Sequence, residues 1–584
     1  MIKPRKSVEL LAPYNPPLNK RSDFVRLDFN ENTVGCSPKV LEALKSVTNE
    51  EISMYPDYTE LRKLIANLNK IDPKCILPTN AGDEGIMLVL NTFVDKDEKI
   101  VLPSPTFAMF KFYSEIIGAK IVKVNYNKDL SFPINRVIDE IDSKTKIIVL
   151  VNPNNPTGTS ILKEDIIEIL KKAKDSIVLL DEAYFDFTGE TCIDLINKFK
   201  NLIILRSFSK AYGLGGLRLG YLIANQEVIS ILQKVNSPYS ITSLATRILK
   251  AAISDREFVK NYVNEIKQNK DYLCNELDKL NIKFYKGDAN FLLVDYGKDY
   301  QKVNDWIKEY GILVRNRNSY VKNTLRITVG TKEQCENLID SLKKYKIKSL
   351  LKGIDTLLFD MDGVLIDVSN SYRLAILKTV EYFSAETSLE EIDSYKLKKG
   401  MNNDWDCTQT ILKDKGIKIE YNDIVQEFNE ILFNETIDDE KLILYEELIK
   451  SLSKKYKLGI VTGRPKKDTD YTLSKFKINE FFASTNTLDD VKNGKPDPEG
   501  LVKSLDELNS KNAVYIGDSV DDIVAANNAR IISIGIAKDK KKILALNKAG
   551  AKFVLSNVNE LLEVIKWKLQ NCQEKQMKQR LKFT

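Results

Sequence analysis

The sequence predicts two α/β units in tandem: a large, mostly parallel sheet domain with a smaller α+β domain attached, then another α/β sheet interrupted early by a helical insertion. Three observations lead there. The chain has 584 residues, and at roughly 100 to 200 residues per domain that means about three to five packed cores. Short β-branched runs alternate with amphipathic stretches, first over about 80–225 and again after 354, which is the rhythm of a buried parallel sheet. Between these blocks a lysine-rich stretch, KKYKIKSLLK at 343–352, reads as a linker because a fresh apolar strand follows it.

In chain order, KIVLPS (99–104), KIIVLVNP (146–153), SIVLLDEAY (176–184) and NLIILRSFS (201–209) are the strands of the first sheet. Long helical patterns with a few strands, including FLLVD (291–295) and LRITVG (325–330), follow as the smaller α+β unit. The second block reads TLLFDMDG, KLGIVTGR, AVYIGDS and IISIGI, with an acidic, helical insertion at about 368–448 between the first two. The basic stretch 566–584 is expected to be a frayed terminal helix. The expected boundaries are 1–349 for the first part, with its large domain at about 29–235 and its small one from the N-terminal arm plus about 236–349. The second part is expected at 350–584, with its core at about 354–367 and 449–565.

Composition narrows the chemistry. Apolar residues make up 43% and charged residues 29%, as in an ordinary globular protein. The 88 Lys+Arg against 82 Asp+Glu leave a net charge of +6 carried by interspersed signs, which argues against a nucleic-acid footprint. The seven cysteines lie far apart without CxxC spacing, so free thiols in a reducing cytoplasm are expected. No run approaches the roughly 18 apolar residues of a membrane span and residues 1–20 carry no apolar signal core. Histidine is absent altogether. That excludes Ser/His/Asp and Cys/His catalysis and a histidine-ligated zinc, leaving Lys, Asp, Glu, Tyr, Cys or a cofactor to do the chemistry. The Lys-, Asn- and Ile-rich background alone can account for the loss.

In open α/β sheets ligands collect at the carboxyl ends of strands. In the first block those ends carry Asn155 in NPNNPTG, Asp181 and Tyr184 in DEAY, and Ser207, Ser209, Lys210 and Arg218 in SFSKAYGLGGLRLG. A strand-terminal lysine can form a Schiff base with an aldehyde, and a buried acid such as Asp181 suits a protonated pyridine nitrogen. Ser209, Arg218 and the turn Asn80-Ala81-Gly82-Asp83 entering a helix suit a phosphate. Singly these read as a turn, a helix cap and a loop lysine; together, on successive strand ends, they read as a site.

These residues, with LAPYNPP, LDFNENTVGCSP, MYPDY, NAGDEGI, PSPTFAMF, VNPNNPTGT, GILVRNR and LRITVGT, make the first 345 or so residues resemble the fold-type I pyridoxal-phosphate aminotransferases, and among them the histidinol-phosphate aminotransferases. The resemblance implies that Lys210 binds the cofactor aldehyde and then shuttles the substrate proton. It implies that Asp181 pairs with the pyridine nitrogen, while Asn155 and Tyr184 bond the phenolic oxygen. Phe107 would stack on the ring, where the family often has Tyr. Gly82, Asp83, Ser207, Ser209 and Arg218 would hold the phosphate, with Tyr55 reaching in from a second subunit of a homodimer. Arg326 would take the carboxylate and phosphate of the two substrates in turn, helped by Tyr14 and Arg315; surface solvation remains the other reading of Tyr14, Arg315 and Arg317.

The second block has its own constellation. LLFDMDGVLID ends a buried strand in Asp360 and Asp362, followed by Thr462 in VTGRP, Lys495 in GKPDPEG, and Asp518 and Asp522 in IGDSVDDIVAA. Asp360 and Asp518, with Asp362 and Asp522, form an oxygen-ligand set suited to Mg2+. Thr462 and Lys495 can neutralise a phosphoryl group. This half resembles the haloacid dehalogenase superfamily, of the phosphoglycolate-phosphatase-like group with a Rossmannoid core and a helical cap. The resemblance implies Asp360 as nucleophile and Asp362 as acid and base, which favours a phosphomonoesterase over a dehalogenase or phosphonatase.

Joined in one chain, the two resemblances imply consecutive steps. Transamination of imidazole-acetol phosphate by glutamate gives histidinol phosphate and 2-oxoglutarate, and a Mg2+-dependent phosphatase then removes the phosphate. Another aromatic or phosphorylated amino substrate, a phosphothreonine decarboxylase-like reaction, a general phosphoglycolate-type hydrolase, or a non-catalytic second half remain alternatives. Partners are expected to be small molecules, with no nucleic acid and no membrane.

Overall fold

The computed structural model describes residues 2–9, 11–13, 21–396, 401 and 403–561; Tyr14 and the expected helix at 566–584 lie outside them. One compact unit runs to Lys343 and a second begins at Lys344.

In the first unit a seven-stranded sheet has the order Ile76–Asn80, Leu219–Ala224, Leu202–Ser207, Ile177–Asp181, Thr145–Val151, Lys99–Ser104, Lys120–Asn125. Every pairing is parallel except those of Leu219–Ala224, which runs against both neighbours. The central strands are apolar along their whole length, as in Val178, Leu179 and Leu180, all 0% exposed, because helices cover both faces of such a sheet. A five-stranded sheet holds Val25–Leu27, Ile312–Asn316, Thr324–Thr328, Phe291–Asp295 and Lys283–Tyr285. Its first strand comes from the chain's beginning and pairs parallel with Ile312–Asn316, so residues just after it enter the site with the small sheet behind them.

The stretch 343–352 contains the division between the two units and is largely helical. The helix Lys332–Leu350 runs through most of it, because Ile347 and the following Leu351 are buried in the core of the second unit while lysine stems can cover apolar surface and keep their charges in water.

The second unit has a six-stranded parallel sheet in the order Ser484–Asn486, Lys457–Val461, Thr356–Phe359, Ala513–Gly517, Ile532–Ile536, Phe553–Leu555. Thr356–Phe359 lies at its centre, fully buried. Two short antiparallel strands, Ile366–Asp367 and Lys441–Leu442, close the base of the helical insertion. Its helices Tyr372–Tyr382, Leu389–Lys396, Asp404–Asp414 and Tyr421–Ile431 pack around Ile376, Cys407, Ile411 and Phe428. Among the described residues no helix is long and apolar enough to cross a membrane.

Candidate active sites

A cavity of about 270 Å³ opens at the carboxyl ends of the central strands of the first unit, and Lys210, Asp181, Asn155, Tyr184, Phe107, Gly82, Asp83, Ser207, Ser209, Arg218 and Arg326 all line it. Lys210 Nζ donates to the Phe29 carbonyl at 3.1 Å and lies 5.7 Å from the Tyr184 ring centre. Asp181 accepts from the Ala183 amide at 2.9 Å; burial pushes its carboxyl up to about 7, against the lowering effect of that bond and of Lys210. A buried carboxyl with one neutral donor suits a cationic ring nitrogen.

At the other end of the cavity the helix Ala81–Phe93 presents its first amides, which have no intrahelical acceptors. Ser209 Oγ is buried without a hydrogen-bond partner. The Asp83 carboxylate accepts from Arg218 at 2.7 Å, so Asp83 can serve an anion only through its amide and by orienting Arg218, not through its side chain. A dianionic phosphate fits this donor set, and pyridoxal phosphate as a whole fits the cavity's chemistry: an amine, a buried acid, an aromatic wall at Phe107 and an anion cradle.

Arg326 is 2% exposed. It donates to Asn155 Oδ1 at 2.5 Å and to the Asp28 carbonyl at 2.6 Å, and its Nε is buried without a partner. Burial, Arg317 and Arg315 together bring its guanidinium down to about 9, the mark of a cation short of anions. Arg317 lines the cavity; Arg315 does not, standing instead 5.2 Å over the Phe29 ring, whose other partner is Arg21 at 4.2 Å. Tyr55 is also absent from the cavity: its side chain is 80% exposed and its ring lies 4.6 Å from Tyr239.

Sequence reasoning missed Asn30. Its Nδ2 donates to the Tyr184 hydroxyl at 2.9 Å and its Oδ1 accepts from Thr328 at 3.2 Å, in a left-handed backbone at φ 56°. The signal was in LDFNEN, since asparagine is among the few residues that adopt that conformation readily.

In the second unit Asp360, at the end of Thr356–Phe359, is 3% exposed. Lys495 Nζ sits 2.7 Å from Asp360 Oδ1, 2.6 Å from Asp522 Oδ1 and 3.0 Å from the Tyr515 hydroxyl. Burial and the Asp522 charge raise the Asp360 carboxyl against the pull of Lys495; burial also works upward on Asp522, but Lys495 and Ser519 bring it below the usual range. Asp360, Asp518 and Asp522 offer oxygens all within 4.8 Å of one another, a hard donor set that fits a divalent cation. Asp522 is already engaged, its Oδ2 accepting the amides of Asp518 and Ser519, which leaves Asp360 and Asp518 as the better ligands. The fourth expected ligand, Asp362, stands apart: its carboxylate faces Arg464, whose Nε donates at 2.6 Å, because the turn at Gly363, φ 68°, carries the chain away from the strand. Thr462 is buried at the neighbouring strand end, its Oγ1 accepting from the Arg464 amide at 3.2 Å. Lys542, not foreseen, contacts Asp518 Oδ2 at 2.5 Å. Asp518 and Lys542 also line a 400 Å³ cavity with Arg373 and Asp393 of the insertion.

Residues 22–342 match the aminotransferase class I and II family, and residues 357–536 match the haloacid dehalogenase-like hydrolases. The histidinol-phosphate aminotransferase of Caldanaerobacter subterraneus subsp. tengcongensis is 39% identical over 326 residues, 55% of this chain and 92% of that protein. That of Clostridium novyi is 35% identical over 345 residues, 58% of this chain and 96% of that protein. The crystal structure of histidinol-phosphate aminotransferase from Sinorhizobium meliloti in complex with pyridoxal-5'-phosphate shares the fold, with a TM-score of 0.54 at 21% identity over 59% of this chain and 97% of that one. The chain belongs to the aminotransferase class I and II family, with histidinol-phosphate aminotransferases as its homologues, and carries a haloacid dehalogenase-like hydrolase domain fused behind it.

Proposed function

We propose that the chain is a bifunctional enzyme in which the first unit transaminates imidazole-acetol phosphate with glutamate, giving histidinol phosphate and 2-oxoglutarate, and the second hydrolyses the resulting phosphomonoester. The observation that carries the first half is Arg326, a buried guanidinium short of anionic partners in the wall of a cavity that Lys210 and Asp181 also line. It suits a donor and an acceptor that each bring an anion, one a carboxylate and the other a phosphate. The naming of the homologues supports the choice of substrate.

Lys210, Asp181, Asn155, Tyr184, Phe107 and the cradle of Gly82, Asp83, Ser207, Ser209 and Arg218 would hold pyridoxal phosphate. When bound, that cofactor supplies an aldehyde and an electron-withdrawing ring. With the cofactor bound, Asp181 would keep negative charge beside the ring nitrogen, and Lys210 Nζ would take the substrate's Cα proton and deliver it to the carbon that was the cofactor's aldehyde. Tyr184, held by Asn30, fixes a hydroxyl at the cavity wall. Tyr55, exposed on its own chain, supports a homodimer in which it serves the partner's site.

In the second unit the Asp360 carboxylate attacks phosphorus, the bond from phosphorus to the alcohol oxygen breaks, and Asp362 gives that oxygen a proton. Water then loses a proton to Asp362 and attacks phosphorus. The bond to Asp360 breaks, releasing inorganic phosphate. Lys495 and Thr462 offset charge on the phosphoryl oxygens, and Asp360 and Asp518 would hold Mg2+, which would supply further positive charge. The deciding experiment gives histidinol phosphate and Mg2+ to the purified chain and measures histidinol and inorganic phosphate. Turnover of phosphoglycolate but not of histidinol phosphate would replace this reading with a general hydrolase.

A further inference from the structure

Arg464 has no part in the chemistry above, yet it is one of the largest fully buried side chains in the molecule. Its Nε donates to Asp362 Oδ1 at 2.6 Å. Its Nη2 lies 2.5 Å from the same oxygen and 2.8 Å from Glu440 Oε1, and its Nη1 donates to Thr472 Oγ1 at 3.0 Å. The Tyr372 ring centre is 4.4 Å from the guanidinium carbon. Thr472 in turn donates to Glu440 Oε2 at 2.7 Å, and the Tyr372 hydroxyl donates to Asp468 at 2.8 Å.

These partners belong to different parts of the unit. Asp362 is on the turn after the catalytic strand. Glu440 immediately precedes Lys441–Leu442, one of the two strands on which the helical insertion is hinged. Tyr372 opens the first helix of the insertion. One buried guanidinium therefore carries two carboxylates, one from the catalytic turn and one from the hinge, and a planar fork holds a carboxylate in a fixed direction as an ammonium does not.

We propose that Arg464 is a positioning residue of the phosphatase site, which fixes the direction of the Asp362 carboxylate and, through Glu440 and Tyr372, makes that direction depend on the hinge of the insertion. The proposal rests on the phosphomonoesterase reading. An alkoxide leaving group needs a well-aimed proton donor, whereas p-nitrophenolate leaves without one, so misdirecting Asp362 selectively slows the departure of an alkyl leaving group, while the later attack of water is shared by both esters.

The test compares the full-length chain with Arg464→Met, Arg464→Lys, Glu440→Gln and Asp360→Asn, each with Mg2+, on histidinol phosphate and on p-nitrophenyl phosphate. Arg464→Met is expected to lower kcat/KM, which reports the steps through leaving-group departure, by about 100-fold on the alkyl ester, near the contribution of one general acid, with a much smaller loss of kcat/KM on the aryl ester. Arg464→Lys restores part of the alkyl activity. Glu440→Gln, which leaves the Asp362 partner in place, shows the same selectivity to a lesser degree and serves if Arg464→Met does not fold. Equal losses of kcat/KM on both esters, or none, overturn the positioning role while Asp360→Asn remains inactive. A parent chain that hydrolyses neither ester, or an Asp360→Asn chain as active as the parent, overturns the phosphatase reading itself.

Discussion

Asp181 holds its place at the strand end Ile177–Asp181 at a cost in stability. Its carboxyl is raised to about 7 by burial, above the ordinary aspartate value, so the folded chain keeps a proton that the unfolded chain has lost between about pH 4 and 7. Stability from this residue therefore falls as pH rises through that window and is fully lost above it, on the order of 4 kcal/mol. Without cofactor, Asp181→Asn is expected to melt higher than the parent at pH 8, with the gap closing towards pH 4. With cofactor the order reverses, because the ring nitrogen's charge compensates the parent's carboxylate. Equal pH dependence of the two apo proteins would contradict the assignment. Lys210→Ala is expected to abolish the visible absorbance of bound cofactor together with transamination; spectra of the purified variant read this directly.

At the scale of elements, the helix Val520–Asn528 shows how a cap becomes part of a site. Ser519 and Asp522 form a capping box, and the same Asp522 carboxylate bonds Lys495, which in turn bonds Asp360. Ser519→Ala is expected to destabilise the second unit by about 1 kcal/mol and to raise the Mg2+ concentration needed for half-maximal phosphate release, because the turn carrying Asp518 loosens with it. Calorimetry and a metal titration measure the two effects. The hydrophobic periods of the strands made this helix and its neighbours legible in sequence, and GDS at a strand end marked the cap. The helix that runs through most of 343–352 was not legible in the sequence because lysine density masks the apolar spacing of Ile347 and Leu351, whose burial depends on a core built much later in the chain.

For the whole molecule, two sites without histidine predict two independent failures. Asp360→Asn is expected to end phosphate release and leave transamination intact, Lys210→Ala to do the reverse, and chelation of divalent metal to follow the first pattern; paired assays on one preparation separate them. On the proposed function the chain helps make histidine yet contains none, so it is also expected to be translated without stalling at histidine codons during histidine starvation, which ribosome profiling would show. By itself the sequence determined the α/β order, the strand-end position of Lys210, Asp181, Asp360 and Asp518, and the family motifs, because these depend on local periodicity and on which residues close each strand. Only the tertiary structure decided that Asn30, entering beside the small sheet, holds Tyr184. It also decided that the Asp83 side chain belongs to Arg218, and that Asp362 turns to Arg464, 102 residues away in sequence, whose guanidinium also holds Glu440. Such pairings are set by how distant strands and hinges converge, and burial of charge then selects the partner, which no local pattern encodes.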